Sequence, residues 1–399
     1  MSRELRRVGA DDPVRLMEAV ARAIEGNEPA VQPTPVGDRV LSAAPTEVGS
    51  AEEIDDDVAV VIATSGSSGY PKRVALSAAA LVASATATEH AVGGPGRWVL
   101  AMPAHYVAGI QVLVRSVIAG TTPEILPGGV FSVDAFVDGA ARAAVGASRT
   151  YTALVPAQVS RLLDDDAGRG ALAAFDAVIV GGQAVPVALR DRAETEGVRL
   201  VRSYGSSETA GGCVYDGRPL DGVLVRLADG EIEIGGATLA LGYLGEPERT
   251  AAAFREDDGV RWYRTGDAGS IDEHGVVDVF GRIDNVIVSG GVNVSLDRIE
   301  ALVRERAGFG EAVVVGAEDA RWGSVPVVVA DSRAPDGMLP GIRRAAEESL
   351  GVAARPARIV RLDEIPMLAT GKPDRRAIAR LVARSGPGLA DHGTDASTL

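Results

Sequence analysis

From Asp57 onward, short Val/Ile-rich runs alternate with alanine-rich stretches of helical length: 58–63, 77–91, 98–102 and 107–119 follow one another in that order. Apolar runs this short and unbroken predict strands buried on both faces, and their interleaving with helices predicts an α/β sheet. Two more such runs, 152–155 and 177–180, extend it. After Arg202 the texture changes. Residues 223–227 and 231–234 flank Asp229-Gly230, and 270–272 and 276–280 flank His274-Gly275, which is the signature of hairpins and so of an antiparallel β subdomain.

A third texture begins near Asn285. Strand 286–289, helix 296–306, strands 312–316 and 325–330, helix 338–350 and strand 358–362 make a compact α+β unit of about a hundred residues, enough to fold by itself. The expected architecture is α/β: a large N-terminal domain, 1–283, of α/β subdomains plus a small β subdomain, then a small mobile α+β C-terminal domain, 284–384. The N-terminal stretch offers one helix, 13–26, followed by a Pro/Gly-rich segment. The Gly-, Asp- and Ser-rich tail, 385–399, predicts disorder. No internal repeat is visible.

Composition narrows the chemistry. At 399 residues, 46% hydrophobic and 24% charged, the chain suits a multi-domain globular protein. Aromatic residues are only 4% and the formal net charge is -15, which argue against a nucleic-acid surface with its clustered cations and stacking platforms. The single cysteine, Cys213, excludes an internal disulfide and a Cys-based zinc cluster, while His90, His105, His274 and His392 show no metal-ligand spacing. With no signal-peptide h-region and no apolar stretch of the ~20 residues a membrane span needs, the expectation is a cytoplasmic protein without an integral membrane segment. The cations carry one more signal. Of 40 Lys+Arg, all but Lys72 and Lys372 are arginine. Lysine is a compact ammonium on a flexible stem, arginine a wide planar fork, so the two exceptions ask for a point charge in a tight place.

Lys72 closes the run Thr64-Ser65-Gly66-Ser67-Ser68-Gly69-Tyr70-Pro71-Lys72. A strand, a Gly/Ser loop ending in lysine and then a helix is a general recipe for holding a polyphosphate, because glycines let backbone N–H groups turn toward the anion. A flexible surface loop is the plain alternative. The run is not a Walker A sequence, which ends Gly-Lys-[Ser/Thr]. In Ser203-Tyr204-Gly205-Ser206-Ser207-Glu208-Thr209, Glu208 has the character of a one-carboxylate Mg2+ ligand, or equally of a first-turn residue of a capped helix. Asp267, in Tyr263-Arg264-Thr265-Gly266-Asp267, puts a carboxylate in a tight turn, where it suits two adjacent ribose hydroxyls, and Arg282 supplies a cation before a strand. Taken singly, these two read better as a turn aspartate and a surface arginine.

Together and in this order, with Gly290-Gly291 and Thr370-Gly371-Lys372 following, the motifs resemble the adenylate-forming superfamily of acyl- and aryl-CoA synthetases, nonribosomal-peptide adenylation domains and luciferases, from Asp57 to Arg376. The resemblance implies two steps: a carboxylate and ATP give an acyl-adenylate and pyrophosphate, then CoA takes the acyl group as a thioester and AMP leaves. ATP, Mg2+ and CoA are the implied cofactors and co-substrates. By the same resemblance, Thr64 to Lys72 is similar to the loop over the β- and γ-phosphates. Gly181-Gly182-Gln183 and Tyr204, with Ser203 and Gly205 beside it, match the walls of the adenine site. Thr209 matches an α-phosphate contact, Glu208 the Mg2+ ligand, Asp267 the ribose aspartate and Arg282 its neighbour. Asp284 falls on the hinge of the small domain, which brings Lys372 in for adenylation and Gly290-Gly291 in for the pantetheine thiol.

The phosphate loop lies much nearer the N-terminus than in typical members, implying a reduced N-terminal subdomain. The family's Pro-x-aromatic-His-x-x-Gly segment is here Pro103-Ala104-His105-Tyr106-Val107-Ala108-Gly109, so the resemblance implies that either His105 or Tyr106 lines the acyl pocket, along with Ser207, with a core histidine satisfied by a backbone carbonyl as the alternative. Within the superfamily the chain looks most like the actinobacterial o-succinylbenzoate:CoA ligases of menaquinone biosynthesis, on its compactness, on Arg115 six residues after Gly109, and on the segment from Ser207 to Gly217. A second carboxylate on an aryl acid would be met by a pocket cation. Arg115 is the candidate, with a surface arginine on an Ala/Val helix as the alternative. The rivals are a CoA ligase for another aryl or medium-chain acid, a stand-alone amino-acid adenylation domain, and a non-catalytic nucleotide-binding relative. The expected partners are a small aryl acid, ATP and CoA, with no nucleic acid and a homodimer as the assembly.

Overall fold

In the computed structural model, which describes residues 2–26, 28–35, 52–65, 71–368 and 372–385, the unbroken apolar runs become buried parallel strands. The central sheet has seven strands in the order Arg218–Pro219, Gly211–Tyr215, Leu200–Ser206, Ala177–Val180, Thr150–Leu154, Arg97–Leu100, Glu124–Ile125. From Leu200–Ser206 to the Glu124–Ile125 edge the neighbours are parallel, and the other two strands are antiparallel additions. Ala177–Val180 and Thr150–Leu154 are buried at every position, and the first is apolar throughout, with no polar alternation in sequence. Arg97–Leu100 has Glu124–Ile125 on one side and Thr150–Leu154 on the other, so strand order reverses there. Beyond the carboxyl ends of such a sheet, next to such a reversal, a crevice opens for ligands. The segments leaving those ends carry His105, Gly181 and Glu208.

A second sheet runs Gly242–Tyr243, Pro71–Ser77, Val58–Ser65, Ala30–Thr34, Ser2–Gly9, Glu52–Asp55. It corrects the expected strand–loop–helix arrangement around Lys72. Val58–Ser65 and Pro71–Ser77 pair antiparallel, with Thr64 opposite Lys72 and Ser65 opposite Pro71. The helix Ala78–Val92 begins only after that second strand, with Ser77 as its cap. Val74 and Leu76 are buried on one face of the strand and Ala75 on the other, and this apolar content extends the pairing where a bare loop was expected. Gly66, Ser67, Ser68 and Gly69 lie outside the described residues, as do Thr370 and Gly371. The strands Ser2–Gly9 and Ala30–Thr34 escaped the sequence reading. They pair in parallel around the helix Pro13–Ile24, and in the first only Leu5 and Val8 are apolar.

The hairpin reading holds for Val223–Ala228 and Glu231–Gly236, where Asp229 and Gly230 take φ of 52° and 79° in the turn. Asp267, expected in a tight turn, lies instead inside the long strand Val260–Ile271, which Val277–Arg282 extends the sheet against.

The chain divides into two compact units: Met1–Val185, Leu189–Thr265 and Ile271–Val277 in one, Pro186–Ala188, Gly266–Ser270 and Asp278–Leu399 in the other. The second contains the sheet Val292–Ser295, Val286–Ser289, Gly323–Asp331, Val313–Asp319, with Arg358–Leu362 parallel to Gly323–Asp331. Val314 and Val328 pack with Ile299, Val303 and Ile342 on one face. Val313, Val315, Val327 and Val329 pack with Ile378 and Val382 on the other. Helices therefore cover both faces, and the valine runs are the period-2 pattern of two cores read in one strand. Ser385, placed in the disordered tail by the sequence, caps the helix Arg375–Arg384, its Oγ donating to Leu381 O at 2.8 Å. The rest of that tail is outside the described residues.

Cys213 is fully buried in Gly211–Tyr215, and burial pushes its thiol up to about 12. The thiolate is the reactive form. Native protein at pH 8 is thus expected to resist iodoacetamide, with one equivalent incorporated only in denaturant, as mass spectrometry would show.

Candidate active site

Three elements distant in sequence bring Lys72, Glu208 and Tyr243 together. The strand Leu200–Ser206 ends in a 3-10 turn, Ser207–Thr209, that presents Glu208. Lys72 stands on the hairpin strand, its Nζ 3.6 Å from Glu208 Oε1, with the two side chains 23% and 8% exposed. The phenol of Tyr243 donates to the same oxygen at 3.0 Å, and Lys72 Nζ lies 5.1 Å from the Tyr243 ring centroid. Tyr243 arrives because Gly242–Tyr243 pairs with Pro71–Ser77, opposite Val74, while Ala240 N donates to Glu208 O at 2.8 Å. Only glycine fits at 242: φ is +149° and an added Cβ would sit 2.4 Å from Thr250 Cγ2. Burial first, and then the Glu208 charge, raise the Tyr243 pKa, so the phenol keeps its proton and donates. The sequence reading missed Tyr243. Its one signal was an aromatic ring in an aromatic-poor chain.

This cluster fits an Mg2+ ion shared with phosphate oxygens. Among the described residues no group of three or more His, Cys, Asp or Glu is poised to cage a metal, whereas Mg2+ commonly keeps one or two carboxylates and takes its remaining ligands from water and substrate phosphate. The contacts that Lys72 and Tyr243 make to the Glu208 carboxylate both fall on Oε1.

The turn itself is tightly tied. Thr209 Oγ1 accepts from Ser206 N at 2.9 Å and donates to Gly211 O at 2.7 Å, and Ser206 Oγ accepts from Glu208 N at 3.2 Å. The capped-turn alternative thus describes the backbone, while the Glu208 carboxylate faces Lys72 and Tyr243. Next comes Ala210, a buried non-glycine residue at φ 51°, ψ 32°. A left-handed alanine costs about 1 kcal/mol and persists only where neighbours over-determine it. Here its carbonyl accepts from Gln111 Nε2 at 2.7 Å and Ser84 Oγ at 3.0 Å, two residues the sequence did not single out. Gly205 sits where the strands kink together: an added Cβ would be 2.1 Å from Gly211 O, and the register shifts between Tyr204 and Gly205. Gly181, just past Ala177–Val180, lies beside Ser203, with 3.2 Å between its added Cβ and Ser203 O. Gly182 follows at φ +81°. Half-buried Tyr204 therefore shares the carboxyl end of the sheet with Gly181 and Gly182.

His105 and Tyr106, both half-buried, have their rings in contact, centroids 4.0 Å apart and tilted by 51°. Burial lowers the His105 pKa, so the imidazole is neutral at pH 7, and its Nδ1 is buried without a partner among the described residues. Arg115 is no surface residue. Only 3% exposed, on the inner face of the helix Val107–Ile118, it lies 4.9 Å from the Trp98 ring and donates weakly to Tyr215 Oη at 3.4 Å. Its Nε has no partner, and it makes no salt bridge among the described residues.

Within the second unit, Arg282 reaches Asp267 Oδ1 at 3.5 Å and Asp284 Oδ1 at 3.0 Å, and Ile283 N donates to Gly266 O at 2.8 Å. Gly290 and Gly291, at φ 57° and 82°, turn the hairpin between Val286–Ser289 and Val292–Ser295, and an added Cβ at Gly290 would be 2.4 Å from Trp322 Cε3. Lys372 is exposed, in a loop closed by Leu368 N donating to Lys372 O at 2.7 Å.

The AMP-binding enzyme family profile matches residues 10–244, more than half of the chain, and the profile of the AMP-binding enzyme C-terminal domain matches 298–372. The chain belongs to the AMP-binding enzyme family. This AMP-binding enzyme is 41% identical over 374 residues to a probable 2-succinylbenzoate–CoA ligase of Mycobacterium tuberculosis, spanning 92% of the chain and 95% of that relative. Among solved structures, the o-succinylbenzoate coenzyme A synthetase of Bacillus subtilis in complex with AMP is 25% identical, with a TM-score of 0.68 over 87% of this chain and 74% of that one. The amide bond synthetase McbA of Marinactinospora thermotolerans is also 25% identical, with a TM-score of 0.74 over 95% and 80% of the two chains. Among the described residues, no helix is long and apolar enough to cross a membrane.

Proposed function

We propose that this AMP-binding enzyme is an ATP-dependent acid:CoA ligase that converts o-succinylbenzoate to o-succinylbenzoyl-CoA. The observation that carries the reading is its 41% identity, over nearly the full length of both chains, to a probable 2-succinylbenzoate–CoA ligase. The Lys72–Glu208–Tyr243 cluster at the carboxyl end of the sheet supplies the chemistry.

A carboxylate oxygen of the acid attacks the α-phosphorus of ATP, the bond from that phosphorus to the bridging oxygen breaks, and pyrophosphate leaves. Mg2+, when bound, would neutralise phosphate charge and would be held by Glu208. Tyr243 orients the Glu208 carboxylate, and Lys72, carried on a strand, meets the charge of the departing pyrophosphate. Thr209 reaches the α-phosphate once its hydroxyl leaves Gly211 O, Asp267 binds the ribose with Arg282 beside it, and Tyr204 with Gly181-Gly182-Gln183 encloses adenine. Lys372 comes from the small unit to the α-phosphate. The small unit then turns about Asp284 and brings Gly290-Gly291 beside the pantetheine. The CoA sulfur attacks the acyl carbon, the acyl–phosphate bond breaks, and AMP leaves as the thiol proton is released.

Arg115 supports the choice of acid. A buried guanidinium that makes no salt bridge among the described residues, with Glu89 acting on it only at longer range, suits a substrate carrying a second carboxylate, either directly or through water. The test is acid-dependent AMP release with CoA across o-succinylbenzoate, benzoate, octanoate and amino acids. An o-succinylbenzoate kcat/KM at least about a hundredfold above that for benzoate is expected, since a desolvated charge pair is worth a few kcal/mol. Equal use of benzoate rejects this acid.

A further inference from the structure

One carboxylate reaches the segment leading from the strand Val277–Arg282 into Val286–Ser289 at two points. Asp297, on the first turn of the helix Leu296–Arg304, accepts the backbone N–H of Arg282 through Oδ2 at 2.8 Å and Asn285 Nδ2 through Oδ1 at 2.6 Å. The same Oδ1 takes Arg375 Nη2 at 3.2 Å. Gly281 is matched to this arrangement: its φ is +124°, and an added Cβ would lie 2.3 Å from Asp297 Cβ. Arg375 also reaches Glu300 Oε2 at 2.7 Å and donates to Val314 O at 2.9 Å. It opens the helix Arg375–Arg384, just after the loop whose base is closed by Asp374 N donating to Pro366 O at 2.8 Å. That loop carries Lys372.

One carboxylate therefore touches both places that a two-conformation ligase must move: the residues on either side of Asp284 and the base of the Lys372 loop. Glu300 alone would keep Arg375 against the core of the small unit. What Asp297 adds is the tie to Arg282 and Asn285. Asp297 thus bonds residues on both sides of Asp284, and Arg375, to one side chain, all of them within the second unit.

We propose that Asp297 is a positioning residue that couples the 281–285 segment to the Lys372 loop and so orients Lys372 for adenylation. The proposal rests on the reading above, in which Lys372 serves the first half-reaction. ATP–pyrophosphate exchange and CoA-dependent turnover of supplied acyl-adenylate measure the two halves separately, in Asp297→Ala, Asp297→Asn, Lys372→Ala and the Asp297→Ala/Lys372→Ala double variant. Asp297→Ala is expected to lower the adenylation kcat about tenfold, with KM for acid and ATP and the second half-reaction within about twofold. Asp297→Asn, which keeps an acceptor, falls between. In the Lys372→Ala background the Asp297 change adds nothing further, because the lysine it orients is gone. Equal loss of both half-reactions with a lowered melting temperature, or the same tenfold loss on top of Lys372→Ala, overturns the proposal. If Lys372→Ala alone leaves adenylation intact, the underlying reading fails first and takes this proposal with it.

Discussion

Replacing Lys372 by alanine lowers the rate of acyl-adenylate formation by about a hundredfold or more, while turnover of supplied acyl-adenylate with CoA stays near the wild-type rate. The magnitude follows from removing one preorganised cation from a transition state whose charge gathers around a pentacoordinate phosphorus. The selectivity follows from the lysine's place on the small unit, away from the Lys72–Glu208–Tyr243 cluster in sequence and in compact unit. Lys372→Arg is expected to fail nearly as badly, although arginine is this chain's default cation, because a planar fork does not follow the path of a compact ammonium. Stopped-flow or exchange measurements of each half-reaction decide it. Equal losses in both halves would speak against an alternating small unit, and near-normal adenylation by the arginine variant would remove the case for lysine.

Glu208→Gln is the second large effect. The amide keeps the size of the side chain and still accepts from Tyr243, but it removes the negative charge that Lys72 faces. Adenylation is expected to fall about a hundredfold, the scale of losing one electrostatic group in a water-poor site, with the Mg2+ concentration for half-maximal rate rising several-fold. Tyr243→Phe, which removes one hydrogen bond from Glu208 Oε1 and leaves Lys72 facing it, is expected to cost a few-fold. A Gln variant with unchanged rate and unchanged Mg2+ dependence would reduce Glu208 to a turn residue.

Much of the scaffold was legible because burial on both faces leaves a local mark. Val178 to Val180 and Val327 to Val329 are apolar without a break, and no other arrangement hides such runs so fully. The site was legible where motif residues sit on their own strand end, as Glu208 does. It was hidden where sheet pairing does the assembling. Nothing near Tyr243 in sequence points to Glu208, and the carbonyl that Gln111 secures belongs to Ala210, a left-handed residue whose type gives no hint of its conformation. Lys72 and Asp267 were misplaced for the same reason: glycine-rich surroundings read as turns, while long-range partners drew both residues into strands. Asp297 showed no signal at all, since an aspartate in a first helical turn is ordinary.

The hairpin that carries Lys72 also settles which neighbour would replace it after an error. With Thr64 opposite Lys72 and Ala63 opposite Arg73, slipping the strand by one position would hand the place facing Glu208 to Arg73. The formal charge there would be unchanged, and a comparison of electrostatic potentials would detect almost nothing. At that place the loss would be one of shape, while Val74 and Leu76 would be turned off their buried face. Correct pairing of Pro71–Ser77 with both of its neighbours therefore keeps one of this chain's rare lysines in place among its many arginines.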